Sequence, residues 1–420
     1  MSNNYFFQTL ILCFLIGTIY AQTTAIPDAN FEQALIDLNI DSDGIINQSA
    51  ATADISGVTS LSVNAKNISD LTGIEDFSSL TYLSCHSNSL TTLNVTENVA
   101  LSVLICRNNS LSTLDLSQNT NLSVLHCFNN QLTHLNISQN SALGDLKCYN
   151  NQLTELDVSQ ITGMGVLNCS YNQIESLDVS QMPYLANLVC NNNQLTELDI
   201  SQNSEITNLS CAFNQITSLN VSQQLNLMNL YCNDNSLNSL VMGENSILSI
   251  FYCFNNQISE LDVSLNTGLQ YFRCYNNDLS VLNVKNGFNS QIAIFDAQNN
   301  PSLECIQVDD ETAANASQAP YTNWLKDVTA TYAEDCGYLG FKDDVLEDTI
   351  TLYPNPVTNT LTIDSVVELN KVEIYSTLGI KVKEILSGFD ALPMNELASG
   401  IYIIRIESDM GFIAKQLIKK

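Results

Sequence analysis

Residues 122–142 read LSVLHCFNNQLTHLNISQNSA, and this 21-residue unit recurs along most of the chain. Its cysteine occurs ten times in succession, always 21 residues after the previous one. These cysteines are Cys85, Cys106, Cys127, Cys148, Cys169, Cys190, Cys211, Cys232, Cys253 and Cys274. An Asn stands three residues after each of them, and a Leu or Phe stands two residues before. A fixed period of this size, with matching residue types in matching columns, predicts a solenoid of stacked coils.

The complete unit is L-x-x-L-x-C-x-x-N-x-L-x-x-L-D-V-S-x-N-x-x, which resembles the leucine-rich repeat with Cys in place of the second Leu of the strand. The first half of the unit, L-x-x-L-x-C-x-x-N, is followed by the similar pattern L-x-x-L-x-V-x-x-N. We therefore expect two short extended segments on opposite sides of each coil. The fold class that follows is a β-rich leucine-rich-repeat solenoid with 21-residue coils. A helical N-terminal cap and a small C-terminal Ig-like β-sandwich complete the expected architecture.

The cysteine column is interpreted as packing. Alternate side chains of a strand point to opposite faces, so the Leu and the Cys of each strand both enter the core. Cys is a compact hydrophobe that can be stacked in every layer. The alternatives are disulfides between neighbouring coils, for which parallel side chains aim poorly, and a metal site, which needs thiolates converging on one point. The Asn of each coil is expected to turn the chain and to bond the backbone of its own and the adjacent coil.

The two ends of the solenoid depart from the repeat. Residues 22–58 are predicted to form the N-terminal cap, with a helix over 27–40 that opens at Pro27 and Asp28. The loop after it resembles the start of an EF-hand, although Ala50 stands where the bidentate Glu is needed. Its matching residues are Asn39, Asp41, Asp43 and Gly44. A turn that closes the cap is favoured over a calcium site, so no cofactor is predicted and calcium stays an alternative.

The solenoid is predicted to cover residues 59–304, followed by a C-terminal cap over 305–338. Cys305 and Cys336 lie outside the cysteine column, and two unmatched cysteines in an exported chain suggest a disulfide. Closing a loop of about 30 residues contributes roughly 3 to 4 kcal/mol. The acidic run at residues 309–311 is interpreted as a solvated edge of this cap rather than a metal site.

The first residues and the charge indicate an extracellular location. Residues 1–21 have the apolar stretch of an export signal, ending at Ala21, although no Lys or Arg precedes it. The chain has 44 acidic and 14 basic residues, a formal net charge of −30. Such a charge repels nucleic acid and anionic lipid headgroups, so neither is an expected partner. The apolar stretch is short for a membrane span and no second one follows, so no direct membrane insertion is expected. We therefore expect a secreted or cell-surface protein.

After a predicted linker at 339–350, residues 351–420 alternate as short strands separated by Pro, Asn and Gly. This segment resembles the type A C-terminal sorting domain of the type IX secretion system of Bacteroidota, and an accessory Ig-like domain is the plainer alternative. The matching residues are Tyr353, Pro354, Asn355, Pro356, Gly400 and Lys415, within YPNP, GIYIIRI and the basic end of the chain. The resemblance implies that the type IX machinery is a partner, and that the chain is exported across the outer membrane.

Ligand-binding residues are expected at the strand positions that point away from the core, namely three before, one before and one after each Cys. Two clusters stand out there, because aromatic residues with Arg are typical of interaction hot spots and ring faces suit sugars. The C-terminal aromatic cluster consists of Tyr231, Tyr252, Phe254, Tyr271, Arg273 and Tyr275. The N-terminal aromatic cluster consists of Arg107, His126, Phe128, Lys147 and Tyr149. The alternative is that aromatic residues simply favour strands.

An enzyme is not expected. The three histidines are His86, His126 and His134, and no nucleophile elbow, P-loop or HExxH motif is present. The aspartates that recur nine residues after Cys, such as Asp157, are expected to serve a turn. Two functions remain open: adhesion to or recognition of an extracellular protein or polysaccharide, and a structural surface component that associates with its own kind.

Overall fold

The computed structural model describes residues 22–336, 350–365, 369–376, 381–389, 391–408 and 411–420. The predicted signal peptide and residues 339–349 of the predicted linker lie outside the described residues. The chain divides into two compact units, Met1–Leu237 and Asn238–Lys420. Among the described residues, none of the helices has the length and apolar character that crossing a bilayer requires.

The N-terminal cap contains the predicted helix and two elements that the sequence did not indicate. The helix spans Ala29–Asp37 and is capped by Asp28, whose carboxylate accepts hydrogen bonds from the amides of Asn30 and Phe31. Thr23–Ala25 pairs antiparallel with Ser49–Ala51, and a second short helix covers Thr52–Ile55. These two strands are too short to show an alternating pattern.

The coils of the first unit contribute one short strand each to a parallel sheet, which we call the front sheet. Its strands are Ser60–Ser62, Tyr82–Ser84, Val103–Ile105, Val124–His126, Asp145–Lys147, Val166–Asn168, Asn187–Val189, Asn208–Ser210 and Asn229–Tyr231. They pair in register at the repeat interval, so that Leu125 is aligned with Leu146. From Val103–Ile105 to Asn229–Tyr231 the centre of each strand is buried and its two flanking residues are partly exposed, as the alternation predicts. The leucine-rich-repeat solenoid fold is confirmed.

All ten repeat cysteines are buried, and the disulfide described in this structure includes none of them. Burial raises the pKa of each thiol that shows a shift, and that of Cys106 to about 12, because a thiolate is poorly solvated in an apolar interior. The cysteine column is therefore a column of inert packing residues.

The Asn column joins adjacent coils through its side-chain amides. The Nδ2 of Asn130 donates to the carbonyls of Cys106 at 3.1 Å and Cys127 at 3.0 Å, while its Oδ1 accepts from the amide of Leu111 at 3.0 Å. The same bonds recur around Asn193. One side chain thus satisfies backbone groups of two coils, as expected.

The second extended segment of each coil is less regular than expected. In the first unit it forms a strand only at Ser218–Asn220, among the residues described. In the column of Asp157 the carboxylate accepts from the amide of Ser159, two residues ahead. The same turn follows the strands Ser218–Asn220 and Glu260–Asp262, so it does not account for the coils that lack a back strand.

The second unit has both sheets. Its front strands are Ile250–Tyr252, Tyr271–Arg273, Ile294–Ala297 and Leu325–Lys326, and its back strands are Ser239–Val241, Glu260–Asp262, Val281–Asn283, Cys305–Gln307 and Thr331–Ala333. The last coils therefore continue into the predicted C-terminal cap. A disulfide joins Cys305 and Cys336, whose Cα atoms are 5.8 Å apart.

Helix Glu311–Asn315 lies against the last back strand, Thr331–Ala333. The 3-10 turns are Ile74–Asp76 in the first unit and Asn289–Gln291 and Tyr321–Asn323 in the second. Residues 309–311 bond backbone groups: Asp309 accepts from Gly287 and Asn289, and Asp310 caps the helix. The acidic run is thus engaged in holding the cap together.

The C-terminal segment folds as two small sheets around its own core. One sheet contains Ile350–Tyr353, Thr360–Ser365 and Leu392–Pro393, and the other contains Leu369–Ser376, Lys381–Ile385, Gly400–Ser408 and Gly411–Lys419. Ile350, which the sequence assigned to the linker, is fully buried in this core, so the domain includes this residue. Asn355 fixes the YPNP loop to the last strand, since its Nδ2 donates to the carbonyl of Gln416 and its Oδ1 accepts from the amide of Ile418.

Candidate ligand-binding surfaces

The N-terminal aromatic cluster lies on the outer side of the front sheet, where all five of its side chains are partly exposed. The rings of Phe128 and Tyr149 are stacked, with centroids 4.1 Å apart and planes 12° from parallel. The guanidinium of Arg107 lies 5.4 Å from the centroid of Phe128, on the preceding coil. A cation and two rings thus follow one another over three coils, held by a cation–π contact and ring stacking.

Two residues that the sequence did not single out complete this cluster. Arg107 Nη2 donates to His86 Nε2 at 3.3 Å, and burial together with the Arg107 charge lowers the pKa of His86. Asp145 Oδ2 lies 3.0 Å from His126 Nε2 and 3.4 Å from Lys147 Nζ. Arg107 and His126 are therefore held by neighbours on an adjacent coil, and Lys147 is held by Asp145 on its own strand.

The C-terminal aromatic cluster is divided between the two units. Tyr231 lies in the first unit, and the other five residues lie in the second. In the second unit the rings of Phe254 and Tyr275 are stacked, with centroids 4.5 Å apart and planes 8° from parallel. The guanidinium of Arg273 lies 5.2 Å from the centroid of Tyr252. Tyr271 is aligned with Ile250 and Ile294 on the same sheet.

Two exposed aromatic residues were missed because the sequence reasoning stopped one residue after each Cys. Tyr171 and Phe213 stand two residues after Cys, with 58% and 51% of their surface exposed. The backbone there has a positive φ, 52° at Tyr171 and 55° at Phe213, which Asn tolerates better than an aromatic residue does. Asn occupies this column at 108, 129, 150 and 192, so the replacement of Asn by a ring is the signal that could have identified both positions.

The loop that resembles an EF-hand contains a buried carboxylate. Asp41 is 4% exposed, and neither of its oxygens has a hydrogen-bond partner of good geometry among the described residues. Burial raises the pKa of Asp41, the charge of Asp43 adds to the rise, and the amide of Asp43 opposes it only in part. Among the described residues no group of three or more metal-ligating side chains is assembled.

Replacing Asp41 with Asn is expected to stabilise the protein at pH 7. A carboxyl group whose pKa is raised by folding favours the protonated form, so its contribution is present below the pKa of the unfolded chain and is lost as the pH rises through the folded value. The gain should be about 1 kcal/mol or more at pH 7 and should shrink as the pH falls toward about 4. Thermal unfolding of the unaltered protein and of the Asp41→Asn variant across this pH range tests the prediction.

The alternative of a calcium ion predicts a different result from the same proteins. Calcium would then raise the melting temperature of the unaltered protein but not that of the Asp41→Asn variant. At pH 7, with calcium present, the variant would be the less stable of the two.

Comparisons with known proteins agree with this architecture. Residues 351–420 match the family described as a secretion system C-terminal sorting domain, so the chain carries a type IX sorting tail that indicates secretion or attachment to the cell surface. No curated protein matches the chain in sequence.

Among solved structures, the chain is similar to the functional domain of InlJ from Listeria monocytogenes, which includes a cysteine ladder. The identity is 24%, the TM-score is 0.64, and the match covers 96% of this chain and 100% of that one. An internalin, InlF, from the same organism is 18% identical, with a TM-score of 0.51 and coverage of 75% of this chain and 100% of that one. The chain thus has the leucine-rich-repeat fold of these proteins.

Proposed function

We propose that this protein is an adhesion or recognition module that binds an extracellular protein or polysaccharide through the outer side of its front sheet. The observation that carries the proposal is the pair of stacked rings beside a cation in each unit. Stacked rings and guanidinium groups are rigid, and they contribute much of the binding free energy at interfaces. A solenoid presents such side chains on an extended surface supported by many coils.

The negative charge of the chain supports the proposal that its binding surface is selective. With a formal net charge of −30, most of the surface repels anions, so a cation held next to aromatic rings is a local exception. Lys147 and Arg273 occupy equivalent strand positions, one residue before Cys, beside the stacked rings. The sorting domain fits this function, because it would deliver the binding surface to the outside of the cell.

Replacing Tyr252, Tyr271 and Tyr275 together with Ala is expected to lower ligand capture at least about tenfold without unfolding the solenoid, since all three side chains lie outside the core. The full chain and the variant are compared on an array of glycans and extracellular-matrix proteins, with and without calcium. A matched control is Tyr184→Ala, which removes an exposed tyrosine that belongs to neither cluster. Unchanged capture by the triple variant would show that the site is elsewhere.

A further inference from the structure

The two aromatic clusters repeat the same sequence. Residues 126–131 read HCFNNQ and residues 252–257 read YCFNNQ, while 147–151 read KCYNN and 273–277 read RCYNN. The offset between the two copies is 126 residues, which is six periods of 21. Phe and Tyr are identical between the copies, one aromatic ring replaces another at 126 and 252, and one cation replaces another at 147 and 273.

The geometry is repeated as well. The stacked pair is Phe128 with Tyr149 in one copy and Phe254 with Tyr275 in the other, at 4.1 and 4.5 Å. The third ring is tilted against the Phe in both, by 45° at 6.4 Å for His126 and by 50° at 6.1 Å for Tyr252. Each unit therefore contains the same arrangement of three rings.

General strand preference does not explain where these rings occur. The column that holds Phe128 and Tyr149 continues with small or polar residues, then with the second pair, and then with Gln298. The four intervening residues are Ser170, Asn191, Ala212 and Asn233. A preference of strands for aromatic residues would scatter Phe and Tyr along this column, whereas the column contains them only as two adjacent pairs.

We propose that residues 126–151 and 252–277 are two copies of one binding site, and that each takes one acidic oligosaccharide. This inference rests on the proposed function and specifies its ligand. The ring column ends at Ser170 after Tyr149, and Ser170 is buried and too short to cover a ring face. In the other copy it ends at Gln298, an exposed side chain that a ligand can displace. A sugar ring can take the place of a third ring in each stack.

The neighbouring cations favour a ligand that carries carboxylates. Lys147 and Arg273 each stand two residues before the Tyr of their copy. Among the described residues, no carboxylate lies within 4.0 Å of the Arg273 guanidinium, whereas Lys147 shares Asp145 with His126. An Asn follows each stacked ring in the sequence, at 129 and 150 in one copy and at 255 and 276 in the other, and amide side chains can bond the hydroxyls of a sugar. A uronic acid offers the ring face and the negative charge together.

The experiment measures stoichiometry by titration calorimetry of the full chain with tetragalacturonic acid. The matched variants are Phe128→Asn with Tyr149→Asn, and Phe254→Asn with Tyr275→Asn. Asn already occupies this column at 191 and 233, so the coil accommodates it. We expect two equivalents for the unaltered chain, one for each double variant and none for the fourfold variant. Neutral maltotetraose should bind at least about tenfold more weakly.

Several results would overturn the inference. One equivalent for the unaltered chain, or loss of both equivalents in either double variant, would show that the copies are not independent equivalent sites. Binding of an acidic peptide but not of the oligosaccharide would refute the ligand class. If the oligosaccharide fails while array capture still depends on the C-terminal tyrosines, the ligand assignment is wrong and the proposed function stands. If ligand capture does not change when those tyrosines are replaced, the proposed function itself is wrong.

Discussion

Iodoacetamide at pH 8 is expected to leave the ten repeat thiols of the native protein unmodified, while the same thiols react fully in 6 M guanidinium chloride. The reactive species is the thiolate, and each of these side chains is fully buried. Burial raises the pKa of Cys106, Cys169 and Cys211 to about 12, so the thiolate fraction at pH 8 is about one in ten thousand. Peptide mass spectrometry reports each cysteine separately. Native labelling of the repeat cysteines would contradict the fold.

The same burial predicts that the solenoid loses stability in alkali. A thiol whose pKa is raised by folding contributes stability below the pKa of the unfolded chain, near 8.5, and that contribution is lost as the pH rises further. The loss is about 1.4 kcal/mol for each pH unit and for each of the nine thiols whose pKa burial raises, and these losses add. When the labelling is repeated from pH 7 to pH 10, modification of all ten repeat cysteines should therefore begin within a narrow range of pH. Gradual, independent reaction of single cysteines would argue against a common buried column.

Replacing Asn193 with Ala is expected to cost about 3 kcal/mol of unfolding free energy. The amide of this buried side chain donates to the carbonyls of Cys169 and Cys190, both at 3.1 Å, and its oxygen accepts from the amide of Ile174 at 3.0 Å. Without the side chain, backbone groups of two coils lose their partners in a place that water does not reach. Urea unfolding monitored by circular dichroism measures the loss.

The neighbouring Gln194 provides the control, because it is exposed. Gln194→Ala should change the unfolding free energy by less than about 0.5 kcal/mol. If the Asn193 variant lost less than about 1 kcal/mol, the Asn column would be a turn former rather than a connection between coils.

The front sheet could be predicted in detail because the two-residue alternation of a strand and the 21-residue repeat assign the same side chains to the core. The alternation within a strand gives the direction of each side chain, and the repeat of 21 residues tests that assignment ten times. The burial of Cys127 and the partial exposure of His126 and Phe128 follow from this pattern alone. The back strands were predicted less well, because the half-repeat is present in the coils of both units whereas the strands form mainly in the second, so the pattern of residues alone does not reveal where adjacent coils pair.

The sequence located the two aromatic clusters but did not identify every residue that contacts them. The positions that flank each Cys identify the rings, but the partners of the charges depend on distances across coils, such as the 3.3 Å between Arg107 and His86. Tyr171 and Phe213 were missed for a different reason. The sequence reveals a left-handed backbone at that column only if the Asn residues of the column are interpreted as a conformational requirement.

The strict spacing of the columns also determines which changes of length this protein tolerates. Losing one whole coil of 21 residues brings equivalent side chains back into line, so that Asn130 could bond the coil that replaces its neighbour. Losing a single residue inside a strand instead turns every later side chain of that strand to the opposite face. Recombination between near-identical coils can therefore lengthen, shorten or copy the protein in modular steps, and a six-coil duplication would be one way to double a recognition site.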